Sequence, residues 1–303
     1  MRFVGALGLL LALTVPAAPQ TTQPSKETML RRLAEEASLF YSQARYLVAQ
    51  ETLEQRSAVP PKRFQPRIGE DALRAAELEY EDRTIQSEYG YGSFKESPNV
   101  LHEFRQVVSV DGKPVKGSEK AREKLSLGLT SHDDRIRKRM LETFEKHGLR
   151  GAVTDFGQII LLFGKSRLSK MDFTFKGESF AGADKVFVYD FTESESASLT
   201  VFEGKKAKRR YLSGEIFVRQ TDYLPLRVTV KTEREFDGKA GLMSAAVDYE
   251  QSRFGVLVPI AVHHRETVGE DLLTENKFSY TEFRRFGSES DLKFEIEDPA
   301  PKP

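Results

Sequence analysis

Residues 169–193 read SKMDFTFKGESFAGADKVFVYDFTE, and apolar and polar residues alternate along both halves of this stretch. The alternating apolar positions are Met171, Phe173 and Phe175 in the first half and Phe187, Tyr189 and Phe191 in the second half. In a β-strand, every second side chain points to the same face of the sheet. The stretch therefore predicts two antiparallel strands that share an aromatic face and turn a polar face to water.

The same alternation continues through the C-terminal part of the chain, to about residue 287. Leu226, Val228 and Val230 occupy alternate positions of one stretch, and the dipeptides Glu203-Gly204 and Asp237-Gly238 are typical of hairpin turns. Short strands separated by turn residues predict one continuous, curved antiparallel sheet.

The N-terminal half adds helices and further strands. A helix is predicted over residues 25–44, strands over 46–56, 77–94 and 100–110, and a helical insertion over about 118–163. The apolar residues of the first helix fall on one face: Leu30, Leu33, Ala37, Phe40, Tyr41 and Ala44. The sequence thus predicts a β-dominated α+β fold in which helices pack on the concave face of a curved sheet or plug it. The pattern leaves open whether residues 45–115 join the same sheet.

The N-terminus has the composition of a secretory signal peptide. Arg2 precedes an apolar run from Phe3 to Val15, and Ala17 offers a small residue for cleavage. The run is shorter than the roughly 20 residues needed to cross a bilayer, which favours a signal peptide over a membrane anchor. The predicted organisation is a signal peptide (1–17), a linker (18–25), a single domain (26–287) and an acidic, Pro-rich tail (288–303).

The amino-acid composition indicates which cellular compartment and which classes of partner to expect. The chain has no cysteine, and therefore no disulfide, thiolate metal site or lipidated N-terminal cysteine. Secreted eukaryotic proteins usually carry disulfides, and no Asn-x-Ser/Thr acceptor occurs, so we expect a bacterial periplasmic protein. Lys plus Arg and Asp plus Glu both total 46, which gives no basic footprint for nucleic acid.

The sequence contains no motif with the spacing required for catalysis, metal binding or nucleotide binding. Gly164-Lys165-Ser166 resembles the end of a phosphate-binding loop, but six residues separate Gly164 from the preceding Gly157 instead of four, and these six are mostly apolar. His263 and His264 are neighbours on a predicted strand and point to opposite faces, so they cannot chelate one ion. We therefore predict no catalytic residue, metal, nucleotide or other cofactor.

The aromatic face is the strongest candidate for a binding site. If the sheet is too curved to be filled by side chains, its concave face becomes a ligand cavity. The candidate lining consists of Phe173, Phe175, Phe187, Tyr189, Phe191, Leu226, Val228 and Val230. The alternative interpretation is an ordinary hydrophobic core.

A second candidate surface is a cluster of basic residues near a predicted hairpin. It comprises Lys205, Lys206, Lys208, Arg209 and Arg210. Such a cluster can contact anionic lipid or an acidic partner. Alternatively, it is a solvated hairpin tip whose charges prevent aggregation at the sheet edge.

Two segments carry a resemblance to a known family. The strand Leu212–Val218, followed by Gln220-Thr221-Asp222-Tyr223-Leu224-Pro225 and Leu226-Arg227-Val228, resembles a strand pair of LolA/LolB-like proteins. Phe254–Pro259 and Phe278–Phe283 resemble the closing strands of exported relatives, and the likeness extends over about residues 165–287. It implies an unclosed β half-barrel of the kind in which periplasmic carriers hold lipoprotein acyl chains.

Three hypotheses about function follow. The first is a monomeric, non-enzymatic periplasmic protein that binds an acyl chain, a lipoprotein or another hydrophobic ligand. The second is an exported envelope scaffold whose concave face is filled by its own helix and Phe side chains, and which binds an envelope protein. The third is an unrecognised hydrolase.

Overall fold

The structure, a computed structural model, describes residues 24–59, 78–131, 133–147, 155–195, 197, 199–203, 206–236 and 238–285. The predicted signal peptide, most of the linker and the C-terminal tail lie outside the described residues. Among the described helices, none combines the length and the apolar character needed to cross a bilayer.

An antiparallel sheet forms most of the described chain. Its strands are β1 (Leu47–Val59), β2 (Glu79–Gly92), β3 (His102–Val110), β4 (Lys113–Pro114), β5 (Met171–Ala181), β6 (Asp184–Glu193), β9 (Ser213–Arg219), β10 (Pro225–Phe236), β11 (Lys239–Gln251), β12 (Leu257–Val268) and β13 (Asp271–Arg285). A separate hairpin contains β7 (Leu199–Glu203) and β8 (Lys206–Arg210). Within the described residues the sheet has 11 strands, in the order β4-β3-β2-β1-β13-β12-β11-β10-β9-β6-β5. The end strands β4 and β5 do not pair with each other, so the sheet is an unclosed half-barrel, as predicted.

Pairing of β1 with β13 joins the two halves of the chain. Leu53 lies opposite Phe278 and Glu51 lies opposite Tyr280, and all four side chains are buried. Because β1 also pairs with β2, the N-terminal strands continue the C-terminal sheet. This answers the question that the sequence pattern left open.

Two helical elements cover the concave face. Helix α1 (Lys26–Gln43) begins at Ser25, whose Oγ accepts a hydrogen bond from the Thr28 amide at 3.2 Å. The helix packs against a 3₁₀ helix, Phe156–Phe163, which lies on β11 and β12. The short helix α4 (Lys165–Leu168) follows this 3₁₀ helix directly, and another 3₁₀ turn, Ala44–Tyr46, joins α1 to β1.

The rest of the helical insertion packs elsewhere. A 3₁₀ turn (Ser118–Lys120), α2 (Ala121–Thr130) and α3 (Asp134–Lys146) contact β2 and β3. Phe104 of β3 is buried with Leu125 and Met140 of these helices, whereas its strand neighbours Glu103 and Arg105 point to the concave face. Phe144 of α3 is the exception, because it belongs to the main core and its ring centroid lies 5.0 Å from the guanidinium carbon of Arg105. Within the insertion, therefore, the 3₁₀ helix 156–163 and Phe144 cover the concave face.

We expect Phe163→Ala to be strongly destabilising, because the ring is fully buried and packs 5.2 Å from Phe191 and 6.4 Å from Phe173, measured between centroids. Removal of a buried Phe side chain costs about 3–5 kcal/mol. Urea unfolding measures the change, with Leu242→Ala as control because Leu242 is 41% exposed. Equal, small losses in both variants would mean that Phe163 does not fill the concave face.

Candidate functional site

The predicted aromatic lining is assembled on the concave face, where the chain covers it with its own residues. Phe173 lies opposite Phe191, and Phe175 lies opposite Tyr189 across the β5–β6 pair. Phe173, Phe187, Tyr189 and Phe191 are buried, and Phe163 packs between Phe173 and Phe191. Phe175 is the exception, since it lies on the edge strand with 43% of its surface exposed.

The aliphatic part of the predicted lining lies on β10. Val228 and Val230 are buried in the main core, and Leu226 is partly buried against it. Of the eight predicted lining residues, Val230 also borders an open groove, whereas the described lining of that groove contains none of the other seven.

This open groove, called the α1 groove below, has a volume of about 2010 Å³. It is lined by α1, by the 3₁₀ helix 156–163, which packs against α1, and by α4. Three buried side chains of the strand region, Leu212, Val230 and Met243, form the floor. The groove extends to the segment Asn99–His102 before and at the start of β3.

Many groove-lining side chains are apolar and only partly buried. Leu30 of α1, Leu161 and Leu162 of the 3₁₀ helix and Leu168 of α4 pack against the core with one side and border the groove with the other. Val100 also lines the groove and is 49% exposed. A concave groove with several partly exposed leucines is characteristic of a binding site for a hydrophobic ligand.

A buried charged cluster lies beneath the 3₁₀ helix. Arg105 donates from Nε to both carboxylate oxygens of Glu51, at 2.8 and 2.9 Å, and from Nη2 to Oε2 of Glu103 at 2.6 Å. Its guanidinium carbon also lies 5.2 Å from the Tyr89 ring centroid and 5.6 Å from that of Phe278. One cation thus pairs with two buried carboxylates, which offsets part of the cost of removing all three charges from water.

The 3₁₀ helix contacts this cluster through its backbone. The Tyr249 hydroxyl donates to the Gly157 carbonyl and accepts from the Ile160 amide, both at 3.1 Å. Gly157 is required by the close approach, because a Cβ at this position would lie 2.8 Å from Glu103 Oε1 and 2.9 Å from the Tyr89 hydroxyl. The helix is therefore positioned by polar contacts at its start and by Phe163 at its end.

Burial changes the acid–base properties of the cluster. Desolvation raises the pKa of Glu103 to about 7, although the charge of Arg105 opposes this shift. Desolvation also raises the pKa values of the Tyr89 and Tyr249 hydroxyls, which therefore stay protonated. Glu103 and Arg105 do not belong to the described groove lining, so this cluster acts as a support for the 3₁₀ helix.

The basic residues near the hairpin lie apart from the α1 groove. Lys208 pairs with Glu235 at 3.5 Å, and Arg209 is exposed. Arg210 is partly buried, Lys205 lies outside the described residues, and so does the side chain of Lys206. None of the five belongs to the described lining of the groove.

The histidine pair has two different environments. His263 Nε2 lies 2.7 Å from Glu275 Oε1 on the exposed side, whereas His264 is buried with Nδ1 3.2 Å from Asn276 Nδ2. The described part of the chain contains no group of three or more metal-ligating side chains.

Comparisons with known proteins give a structural likeness. No family model matches the sequence, and no curated protein matches it. The chain is similar to the crystal structure of a DUF1329 family protein from Desulfovibrio piger, with 10% identity, a TM-score of 0.33 and coverage of 89% of this chain and 97% of the other. It is also similar to a LolA superfamily protein from Nitrosomonas europaea, with 10% identity, a TM-score of 0.29 and coverage of 87% and 94%.

Glu103 predicts a pH dependence of stability. Glutamate ionises near pH 4.5 when exposed and near pH 7 in this site, so the folded state binds more protons than the unfolded state between these values. The contribution to the free energy of unfolding is thus fully present below about pH 4.5 and declines as the pH rises through about 7, by about 3 kcal/mol.

Glu103→Gln removes this titration and is expected to flatten the stability profile between about pH 5 and 7. Glu119→Gln, at an exposed position before α2, serves as control and should keep the wild-type profile. Urea unfolding at a series of pH values measures both. A wild-type slope that survives in Glu103→Gln would assign the titration to another group.

Proposed function

We propose that the protein is a periplasmic, non-enzymatic binding protein for an acyl chain, held in the α1 groove. The observation that carries this proposal is the set of half-buried leucines that line the groove, Leu30 on α1 and Leu161 and Leu162 on the 3₁₀ helix. An extended hydrocarbon chain matches such a lining, since its burial is favourable at every methylene and needs no polar partner.

In this proposal the predicted aromatic face supports the site from below. Val230 contacts the chain at the groove floor. Phe173 and Phe191 hold Phe163, and thereby the 3₁₀ helix wall, in place, while Phe187 and Tyr189 belong to the same buried core. The exported state and the periplasmic location rest on the signal-peptide pattern of residues 1–17. In this proposal the protein is a monomer, and either a free lipid or the acyl chains of a lipoprotein would fit the same groove lining.

The envelope scaffold is the second candidate, and one observation favours it. The hollow above the aromatic face is filled by Phe163 and the rest of the 3₁₀ helix, as a self-filled core requires. Native mass spectrometry of protein purified from the periplasm separates the two candidates. A mass increment that corresponds to a lipid supports the binding protein, whereas a ligand-free mass and no uptake of added fatty acid support the scaffold.

Affinity is expected to increase with the length of the acyl chain. Each buried methylene contributes about 0.8 kcal/mol, so two additional methylenes tighten Kd by roughly fifteenfold until the groove is filled. Calorimetric titration with saturated fatty acids of increasing length measures this slope. An affinity that does not change with chain length would show that the chain stays in water, and would reject the groove as its site.

Leu162→Gln is expected to weaken fatty-acid binding about tenfold or more, because the contact of a leucine side chain with apolar surface is worth about 1.5–3 kcal/mol when fully buried. Leu242→Gln is the matched control, since Leu242 is 41% exposed and lies outside the described groove lining. Quenching of fluorescent cis-parinaric acid measures Kd for both. Equal effects of the two substitutions would contradict the proposed location.

A further inference from the structure

The α4 end of the α1 groove carries positive charge. Lys165, Ser166 and Arg167 are exposed and line the groove directly after the apolar 3₁₀ helix. Within the described part of the chain, Lys165 and Arg167 form no ion pair, so both charges are available to a ligand. The cationic groups of Lys165 and Arg167 and the hydroxyl of Ser166 therefore lie at the end of the leucine-lined wall.

The backbone of α4 fixes the direction in which these side chains extend. The Gly164 carbonyl accepts from the amides of Arg167 at 2.8 Å and Leu168 at 3.2 Å. Leu168 packs against the core, while Lys165 and Arg167 remain exposed on the groove side. The apolar and the cationic lining thus meet within one turn of chain.

Other charges around the groove are arranged differently. On α1, Arg31 pairs with Glu35 at 2.8 Å, and Lys26 donates to the Phe173 carbonyl at 3.0 Å, while Glu27 is exposed nearby. Where the 3₁₀ helix begins, Asp155 lies 3.3 Å from His102 Nδ1 and accepts from Gln158. The acids Glu35 and Asp155 already have partners, and the charge of Glu27 is offset by that of its neighbour Lys26, so the excess positive charge lies at the α4 end.

We infer that the α1 groove takes a single-chain lipid with an anionic head, a long-chain fatty acid, whose carboxylate is bound by Lys165 and Arg167. The chain then extends from α4 between α1 and the 3₁₀ helix, along Leu161 and Leu162. This inference rests on the proposed function and adds the polarity of the ligand and its direction in the groove.

The site differs from a phosphate-binding loop in spite of its Gly164-Lys165-Ser166 sequence. A phosphate loop presents free backbone amides, whereas here the Ile160 amide is bonded to Tyr249 and the Gly164 amide to the Leu161 carbonyl. Recognition therefore depends on the side chains of Lys165 and Arg167, which suit an exposed head on a buried chain.

The role of the ligand's charge is tested with two probes that have the same hydrocarbon chain, cis-parinaric acid and its methyl ester. Exposed ion pairs contribute up to about a factor of five each, so Lys165→Ala/Arg167→Ala is expected to weaken binding of the acid about tenfold. The ester, which has no charge, should bind wild type and double variant equally. Increasing the salt concentration should weaken binding of the acid to wild type and leave the ester unchanged.

Lys113→Ala/Lys116→Ala is the matched control, because both lysines are exposed, Lys113 in β4 and Lys116 just after it, and both lie outside the described groove lining. Equal loss of acid binding in the two double variants would overturn the inference, as would acid and ester affinities that are equal and insensitive to Lys165→Ala/Arg167→Ala. In the latter case the acyl-chain function stands. Failure of both probes to bind wild type would instead reject the proposed function. Lysophosphatidate that displaces cis-parinaric acid better than oleate does would overturn the assignment to a carboxylate.

Discussion

The structure depends most on the docking of the 3₁₀ helix Phe156–Phe163 against the concave face of the sheet. At one end Gly157 lies on the buried charged cluster and is held by the Tyr249 hydroxyl. At the other end Phe163 is buried between Phe173 and Phe191. The outward side of the same helix supplies Leu161 and Leu162 to the groove. One short apolar segment therefore closes the core and forms the wall of the proposed site.

The charged cluster beneath this helix supports it, although burial of its three charged groups has a large desolvation free energy. Glu51, Glu103 and Arg105 come from β1 and β3 and are almost completely buried. Such a group stabilises only when its members are mutually paired, as Arg105 is with both carboxylates. It also demands a backbone without a side chain at residue 157. The N-terminal strands therefore determine where the helix lies. Pairing of β1 with β13 fixes these strands, and with them the helix, relative to the rest of the sheet.

The sequence predicted the sheet well because alternation records which side chains face the core. Phe173, Tyr189 and Phe191 were correctly placed on one face, and α1 (Lys26–Gln43) fills almost the whole predicted range of residues 25–44. Local patterns do not reveal what lies on that face, since both a ligand and a protein segment would select aromatic residues. The groove was missed for the same reason. Leu30 and Tyr41 belong to the predicted apolar stripe of α1, and only the tertiary arrangement leaves them partly exposed. The run of five apolar residues from Ile159 to Phe163 was the available signal, because a helix that is apolar on all sides must be covered on its outward side as well as on its core side.

The proposed function depends on an acyl chain that lies between α1 and the 3₁₀ helix. The most direct measurement is a crystal structure of the protein with a fatty acid brominated near its methyl end, in which anomalous scattering locates the bromine. We predict a bromine peak within the α1 groove, either between Leu30 and Leu161 or farther along the groove toward Val100. A peak on the outer face of the sheet, or a groove that holds no lipid at saturating fatty acid, would contradict it.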